Sequence, residues 1–128
     1  MSTAATNKKV IAITGASSGI GKETAKQLVN NGFNVALLAR SKDKLRSMVE
    51  ELGNDNAFAV KADVSDFKDV DTAFEKVSKH FGRIDGIFAN AGRGAKAAGI
   101  EKGDVDDWDG MLGANVNGLL YTAKAGLP

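Results

Sequence analysis

The sequence contains no cysteine, one histidine and one proline among its 128 residues. Without cysteine the chain cannot form disulfides, thiolate metal sites or a cysteine nucleophile. The formal net charge is only +1, which argues against a nucleic-acid groove or an anionic membrane as partner. No apolar run approaches the ~18 residues of a membrane-spanning helix, and the polar N-terminus lacks the apolar core of a signal peptide. We therefore expect a cytoplasmic protein.

The single histidine and an acidic cluster are the residues to consider for a metal site. His80 lies near the end of a predicted helix, where a basic side chain suits the negative end of the helix dipole. Asp104, Asp106, Asp107 and Asp109 suit the positive end of the next predicted helix and lack the spaced ligand set of a calcium loop. We predict no metal.

Fifteen glycines punctuate a regular alternation of short apolar runs and helical patterns. Strands are predicted over residues 9–14, 34–39, 57–61 and 84–89, and helices over 20–31, 42–52, from a cap at Ser65 to residue 81, and over 106–124. Ser41 is predicted to cap the second helix. This alternation predicts one α/β domain, a doubly wound parallel sheet of four strands with flanking helices.

Apolar stripes predict which faces of the last two helices pack against the core. The third helix carries Phe67, Val70, Phe74, Val77 and Phe81, and the last carries Trp108, Met111, Leu112, Val116, Leu119 and Leu120. Asn115 falls within the second stripe. An amide that faces a core without a partner costs about 1–3 kcal/mol, so a neighbouring backbone group or a functional partner must satisfy it.

The segment "TGASSGIG" joins the first strand to the first helix and carries the spacing G-x-x-x-G-x-G. The first turn of a helix presents unpaired N–H groups and partial positive charge, which together bind a diphosphate where no Cβ intervenes. On this interpretation Gly15 makes the turn, Gly19 and the amide of Ile20 admit the diphosphate, and Gly21 lets the helix approach the strand. Ser17 lies within the same loop. The alternative is a glycine-rich connection without a ligand.

Four motifs in order resemble the short-chain dehydrogenase/reductase family. They are "TGASSGIG" at 14–21, "ADV" at 62–64, "NAG" at 90–92 and "WDGMLGANVNG" at 108–118. The resemblance implies a Rossmann-type domain that binds NAD(P) and spans residues 1–128. It also implies that the chain corresponds to the amino-terminal half of such an enzyme, incomplete relative to the full fold and truncated before the fifth strand.

The end of the second strand lies beside the adenosine ribose in this fold. Ala39 stands where the family can carry an acidic residue, and Arg40 follows it. A guanidinium can bind a 2′-phosphate with two hydrogen bonds, so we predict NADP(H) in preference to NAD(H). The alternative is that Arg40 is a solvated loop cation. Arg93 and Lys96 lie in the glycine-rich loop near the predicted cleft, and for them the simpler interpretation is also that of solvated loop cations.

The resemblance assigns further cofactor contacts to the ends of the third and fourth strands. Asp63 and Val64 are implied to hold the adenine ring, with the carboxylate accepting from its amino group. Asn90, Ala91 and Gly92 follow the fourth strand at its carboxyl end, where ligands of open α/β sheets bind. Without the resemblance, Asp63 is equally explained as a turn residue at a strand end.

The family's catalytic set is Asn, Ser, Tyr and Lys, and Asn115 matches the first member by its "NVNG" context. The resemblance implies hydride transfer between the nicotinamide and an alcohol/ketone substrate, with pairing to a second copy through the Asn115 helix. Tyr121 and Lys124 are spaced Y-x-x-K, whereas the family has Y-x-x-x-K. We therefore expect the 128-residue chain alone to be inactive. The alternatives are a dinucleotide-binding module without catalysis, natural or trimmed, and a nucleotide-sugar epimerase.

Overall fold

The computed structural model describes residues 7–92 and 98–127, and in it the strands form one parallel sheet of order β3-β2-β1-β4. The strands are β1 (Val10–Thr14), β2 (Asn34–Ala39), β3 (Ala57–Lys61) and β4 (Gly86–Ala89), and the helices are α1 (Gly19–Asn30), α2 (Lys42–Leu52), α3 (Phe67–Phe81), α4 (Val105–Leu112) and α5 (Gly118–Gly126). A 3₁₀ turn, Ile100–Lys102, precedes α4, and a π-helical segment, Gly113–Asn117, joins α4 to α5. The predicted α/β class is confirmed.

The sheet separates two apolar cores because both of its faces are covered. Strand residues on one face, including Ile13 and Leu37, pack with α1 and α2. Those on the other face, including Ala12 and Leu38, pack with α3 and α5. All six residues of β2 are buried, which explains why this strand has no polar alternation.

The α3 helix buries the predicted stripe, but its cap is one residue later than expected. Val70, Phe74, Val77 and Phe81 are buried and Phe67 is half-buried. The prediction of Ser65 as N-cap was wrong. Asp66 is the cap, and its carboxylate accepts from the amides of Lys68 and Asp69 at 3.1 and 3.4 Å. A carboxylate is also the better ligand for the positive end of the helix. The predicted cap of α2 is confirmed, because Ser41 Oγ accepts from the Lys44 amide.

The predicted stripe on the last helix does not face the core. Four of its six apolar residues are about half exposed: Leu112 50%, Val116 49%, Leu119 52% and Leu120 61%. The α5 helix instead buries Gly118 and Thr122. A Cβ on Gly118 would lie 2.7 Å from Cγ2 of Val64, so only a residue without a side chain allows this close approach. Small residues therefore decide which face packs.

Element boundaries differ from the predicted ones by up to two residues. Two differences reach this size: the last helix ends at Gly126 instead of residue 124, and β4 begins at Gly86 instead of residue 84. Just before β4, Asp85 pairs with Val10 through both its main chain and its side chain. Its amide donates to the carbonyl of Val10 and its carboxylate accepts from the Val10 amide, both at 2.8 Å. As far as the structure describes the sheet, β3 and β4 are its edges. None of the described helices is both long and apolar enough to cross a membrane.

Candidate functional site

The turn between β1 and α1 leaves the start of α1 open. Gly15 and Gly19 have φ values of +64° and +56°, a conformation that residues with a Cβ rarely adopt. The N-cap Ser18 makes no side-chain hydrogen bond to the first turn of α1, which contains no acidic residue. A Cβ on Gly19 would have no described atom within 4 Å. The N–H groups at this helix start therefore face open space and can receive an anion.

Two other glycines of the turn are needed for close packing. A Cβ on Gly15 would lie 2.8 Å from Cα of Ala91, and a Cβ on Gly21 would collide with the carbonyl oxygen of Gly15. A Cβ on Gly21 would also lie 2.8 Å from Nδ2 of Asn90. The three glycines thus have different roles: Gly15 and Gly21 allow the turn to close on its neighbours, and Gly19 keeps the helix start accessible.

The end of β4 is tied to the end of β1 by one buried hydroxyl. Oγ1 of Thr14 accepts from the amides of Asn90 and Ala91 at 3.0 and 3.1 Å. Nδ2 of Asn90 donates to the carbonyl of Gly15 at 3.3 Å. In the structure Asn90 therefore holds the glycine turn. A contact of Asn90 with the cofactor, as the resemblance implies, would be a second role.

The end of β2 presents cations at the same edge of the sheet. Ala39 is buried, Arg40 is exposed, and the capping of α2 by Ser41 brings Lys44 to the same region. Arg40 and Lys44 both line a cleft that also contains Gly15 and Ser17. No acidic side chain follows β2 before Asp43, so a ligand phosphate would meet positive charge here.

The loop after β3 holds an ionised carboxylate on the cleft. Oδ1 of Asp63 accepts from Oγ of Ser65 at 2.7 Å and from the Ser65 amide at 3.0 Å. The Ser65 hydroxyl is the main reason that the pKa of Asp63 is lowered from its ordinary value; the Ser65 amide and the charge on Arg40 lower it further, while burial opposes them. Val64 is buried against Gly118. Asp63 is therefore an acceptor at neutral pH.

Asn115 lies at the centre of the π-helical segment between α4 and α5 and is exposed. The prediction that it faces the core was therefore wrong. It faces the loop after β4 instead, since a Cβ on Gly92 would lie 2.7 Å from Oδ1 of Asn115. Single turns of π-helix occur frequently at functional sites because they redirect one side chain.

These elements enclose a cleft of about 580 Å³ at the carboxyl end of the sheet. It is lined by residues that follow each of the four strands, among them Gly15, Arg40, Asp63 and Ala91, together with Ala114 from the π-helical segment. Ligands of open α/β sheets bind at this position. Of the predicted site residues, the lining includes Gly15, Ser17, Arg40, Asp63, Val64, Ala91 and Gly92. The other five are not among the lining residues: Gly19, Ile20 and Gly21 begin α1, Asn90 follows β4, and Asn115 lies in the π-helical segment.

The remaining candidates for chemistry pack elsewhere. Tyr121 contacts the edge of Phe67 with ring centroids 5.7 Å apart, and Nζ of Lys124 lies 5.9 Å above the same ring. His80 stacks on Phe58 at 4.0 Å between centroids, and burial lowers the pKa of His80. Within residues 7–92 and 98–127, no three side chains of the metal-ligating types come together. Arg93 and Lys96 lie outside the described residues.

Three residues of the site were not predicted from the sequence. Thr14 is one, because a threonine that ends an apolar strand carries no signal of a distant partner. Asp69 is another: its Oδ2 accepts from the amide of Asp63 at 2.7 Å. Lys44 had a usable signal, since it stands four residues after Arg40, in the first turn of the helix that Ser41 is predicted to cap.

The family model for short chain dehydrogenase matches residues 9–128. An uncharacterized oxidoreductase from Staphylococcus haemolyticus is 42% identical over 122 residues, which cover 95% of this chain and 52% of that protein. The chain thus spans about half the length of this curated relative.

Solved structures agree with this similarity. A 3-ketoacyl-(acyl-carrier-protein) reductase from Brucella melitensis, complexed with NADH, is 37% identical with a TM-score of 0.87, over 91% of this chain and 48% of that one. An alcohol dehydrogenase from the archaeon Thermococcus sibiricus, complexed with 5-hydroxy-NADP, is 36% identical with a TM-score of 0.88, over 94% and 52% respectively. The cofactors named for these two structures are both nicotinamide dinucleotides.

Proposed function

The chain belongs to the short-chain dehydrogenase family, and we propose that it is the cofactor-binding domain of an oxidoreductase that transfers hydride between NADP(H) and an alcohol/ketone substrate. The observation that carries this proposal is the open start of α1, at the edge of the sheet where all four strands end. A Cβ on Gly19 would have no described atom within 4 Å there. We propose that residues 1–128 form one such domain.

The residues along the cleft fit the parts of a nicotinamide dinucleotide in order. The amides of Gly19 and Ile20 would hold the diphosphate, because they begin a helix whose positive end has no acidic side chain in its first turn. Asp63 would accept from the amino group of adenine, because its carboxylate is ionised and can only accept. Asn90, Ala91 and Gly92 would support the nicotinamide half from the end of β4.

The preference for NADP(H) follows from the residues after β2. A 2′-phosphate placed there would meet Arg40 and Lys44 and would not meet a carboxylate at position 39. A charge-assisted hydrogen bond contributes about 1.5–3 kcal/mol, which corresponds to roughly a ten- to hundredfold difference in affinity. The solved relatives named above include one with NADH and one with an NADP derivative, so the preference rests on these side chains.

Bound nicotinamide supplies or accepts the hydride at the substrate carbon. The contribution of this chain to the chemistry would be Asn115, whose carboxamide points toward the loop after β4. Since an amide does not titrate, its role would be to hold, by hydrogen bonds, a water of the proton relay. Tyr121, the one tyrosine of the sequence, packs on Phe67. This packing favours the second candidate for the 128-residue chain by itself, a dinucleotide-binding module without turnover. A reading frame that encodes Ser and Y-x-x-x-K after residue 128 would favour the enzyme.

Titration of NADPH and NADH, followed by nicotinamide fluorescence, tests the proposal without requiring turnover. We expect Arg40→Ala to weaken NADPH binding roughly ten- to hundredfold and to leave NADH binding unchanged. Ala39→Asp should reverse the preference by repelling the 2′-phosphate. Arg46→Ala is the matched control, because Arg46 is an exposed cation of α2 that does not line this cleft. Equal affinities of the wild type for the two cofactors would refute the NADP(H) preference, and binding of neither would refute the function.

A further inference from the structure

The loop between β3 and α3 contains a hydrogen bond that reaches back past the helix cap. Asp69 is the third residue of α3, and in a usual capping box its side chain would accept from the amide of the cap residue. Here the amide of the cap, Asp66, donates to the carbonyl of Asp63 at 3.0 Å. The carboxylate of Asp69 accepts instead from the amide of Asp63, three residues before the cap, at 2.7 Å.

Asp63 is therefore fixed at both its main chain and its side chain. Its amide is held by Asp69, its carbonyl by the Asp66 amide, and Oδ1 of its carboxylate by the hydroxyl and amide of Ser65. Among the described residues both hydrogen bonds to this carboxylate end on Oδ1, which leaves Oδ2 as the acceptor available on the cleft.

The bond from Asp69 is not required to cap α3. Asp66 already accepts from the amides of Lys68 and Asp69, which are the first-turn donors that a cap satisfies. The Asp69 side chain is half-buried and is directed at the residue that faces the cleft. Its removal would leave the Asp63 amide without this acceptor and would release the main chain that sets the direction of the Asp63 carboxylate.

We propose that Asp69 is a positioning residue that aims the carboxylate of Asp63 at the amino group of the adenine ring. This inference rests on the proposed function. Asp69 does not touch the cofactor. It determines how strongly the site prefers a purine edge that donates a hydrogen bond to Asp63 over one that accepts a hydrogen bond. A hypoxanthine ring carries a carbonyl oxygen in place of the amino group, and an aimed carboxylate repels it.

The test compares dissociation constants for NADPH and for its hypoxanthine analogue. We expect the wild type to prefer the adenine form by about tenfold or more, which is the range of one charge-assisted hydrogen bond. Asp69→Ala should lower this ratio below about threefold, whereas Asp69→Asn, whose amide oxygen can accept from the same N–H, should retain it. Asp71→Ala removes a carboxylate from the same helix outside the loop and should leave the ratio unchanged.

A general loss of stability would weaken the binding of both ligands alike and would not change the ratio of their dissociation constants. If Asp69→Ala does not fold, Asp69→Ser decides the question, because its hydroxyl is polar but too short to replace the carboxylate. A folded Ala or Ser variant with the wild-type ratio would overturn the proposal, as would a wild type without adenine preference. Failure of the proposed function is distinguishable, since the wild type would then bind neither dinucleotide.

Discussion

The substitution Gly19→Ala separates the binding role of the glycine turn from its structural role. Gly19 begins α1 with φ of +56°, and Gly32 follows the other end of the same helix with φ of +88°. A Cβ would have no described atom within 4 Å at either position. At both positions a substitution therefore introduces a Cβ at positive φ without crowding, and the two differ in their location on the helix. Gly15 would be a poorer choice, because its Cβ would also press on Ala91.

Both variants are expected to lose stability. Left-handed backbone costs a residue with a Cβ roughly 1–2 kcal/mol, which for a chain of this size lowers Tm by about 2–8 °C. Binding should differ. The added methyl group at position 19 occupies the open space in front of the first N–H groups of α1, so dinucleotide affinity should fall at least about tenfold. Gly32→Ala should bind as the wild type does.

The assay is nicotinamide fluorescence titration of both variants, at a temperature where thermal denaturation shows that each is fully folded. The ratio of their dissociation constants reports the effect of the methyl group on the ligand, because both variants are compared while they are fully folded. Equal dissociation constants for Gly19→Ala and Gly32→Ala would refute the placement of the diphosphate at the start of α1.

Two further predictions concern stability. Oγ1 of Thr122 is buried with no hydrogen-bond partner in the described part of the chain. Thr122→Val should therefore raise the free energy of unfolding, measured by urea denaturation, by about 1 kcal/mol. A decrease in that free energy would contradict the burial of an unpaired hydroxyl. Burial lowers the pKa of His80 below its ordinary value of 6.5, so the unfolded state binds more protons and stability should fall as the pH drops through 6.5 toward the folded-state pKa. His80→Phe keeps the stack on Phe58 and should remove that part of the decline between pH 7.5 and 5.5; an identical decline in both proteins would contradict the assignment.

Local patterns were sufficient for the strands, for the first three helices and for the glycine turn, but the predicted last helix is interrupted by the π-helical segment. The apolar run that ends at Thr14, the spacing of Gly15, Gly19 and Gly21, and the helical pattern after them each depend on neighbours within a few residues. The cap at Ser41 is similarly local. The cap of α3 was predicted one residue early, because Ser65 and Asp66 are both good capping residues and only the loop geometry directs Ser65 to Asp63.

The orientation of the last helix could not be predicted from its periodicity. A periodic pattern reports that large apolar side chains share a face, but it does not report what that face meets. Gly118 and Thr122 pack inward because α5 must approach Val64 and α3 closely, and Leu119 and Leu120 are consequently directed outward. The π-helical segment at Asn115 also changes the angular relation between α4 and α5, which a single period cannot represent.

The sequence by itself determined the succession of strands and helices, the bare turn before α1 and the cations after β2, because each depends on short-range backbone preferences and on residue type. Only the tertiary structure decided which distant groups meet: the Thr14 hydroxyl with the amides of Asn90 and Ala91, and Asn115 with Gly92. The physical reason is that the Thr14 contacts exist only after β4 has paired beside β1, which brings residues some 75 positions apart to one edge of the sheet. The Asn115 contact exists only where the π-helical segment lies against the loop after β4.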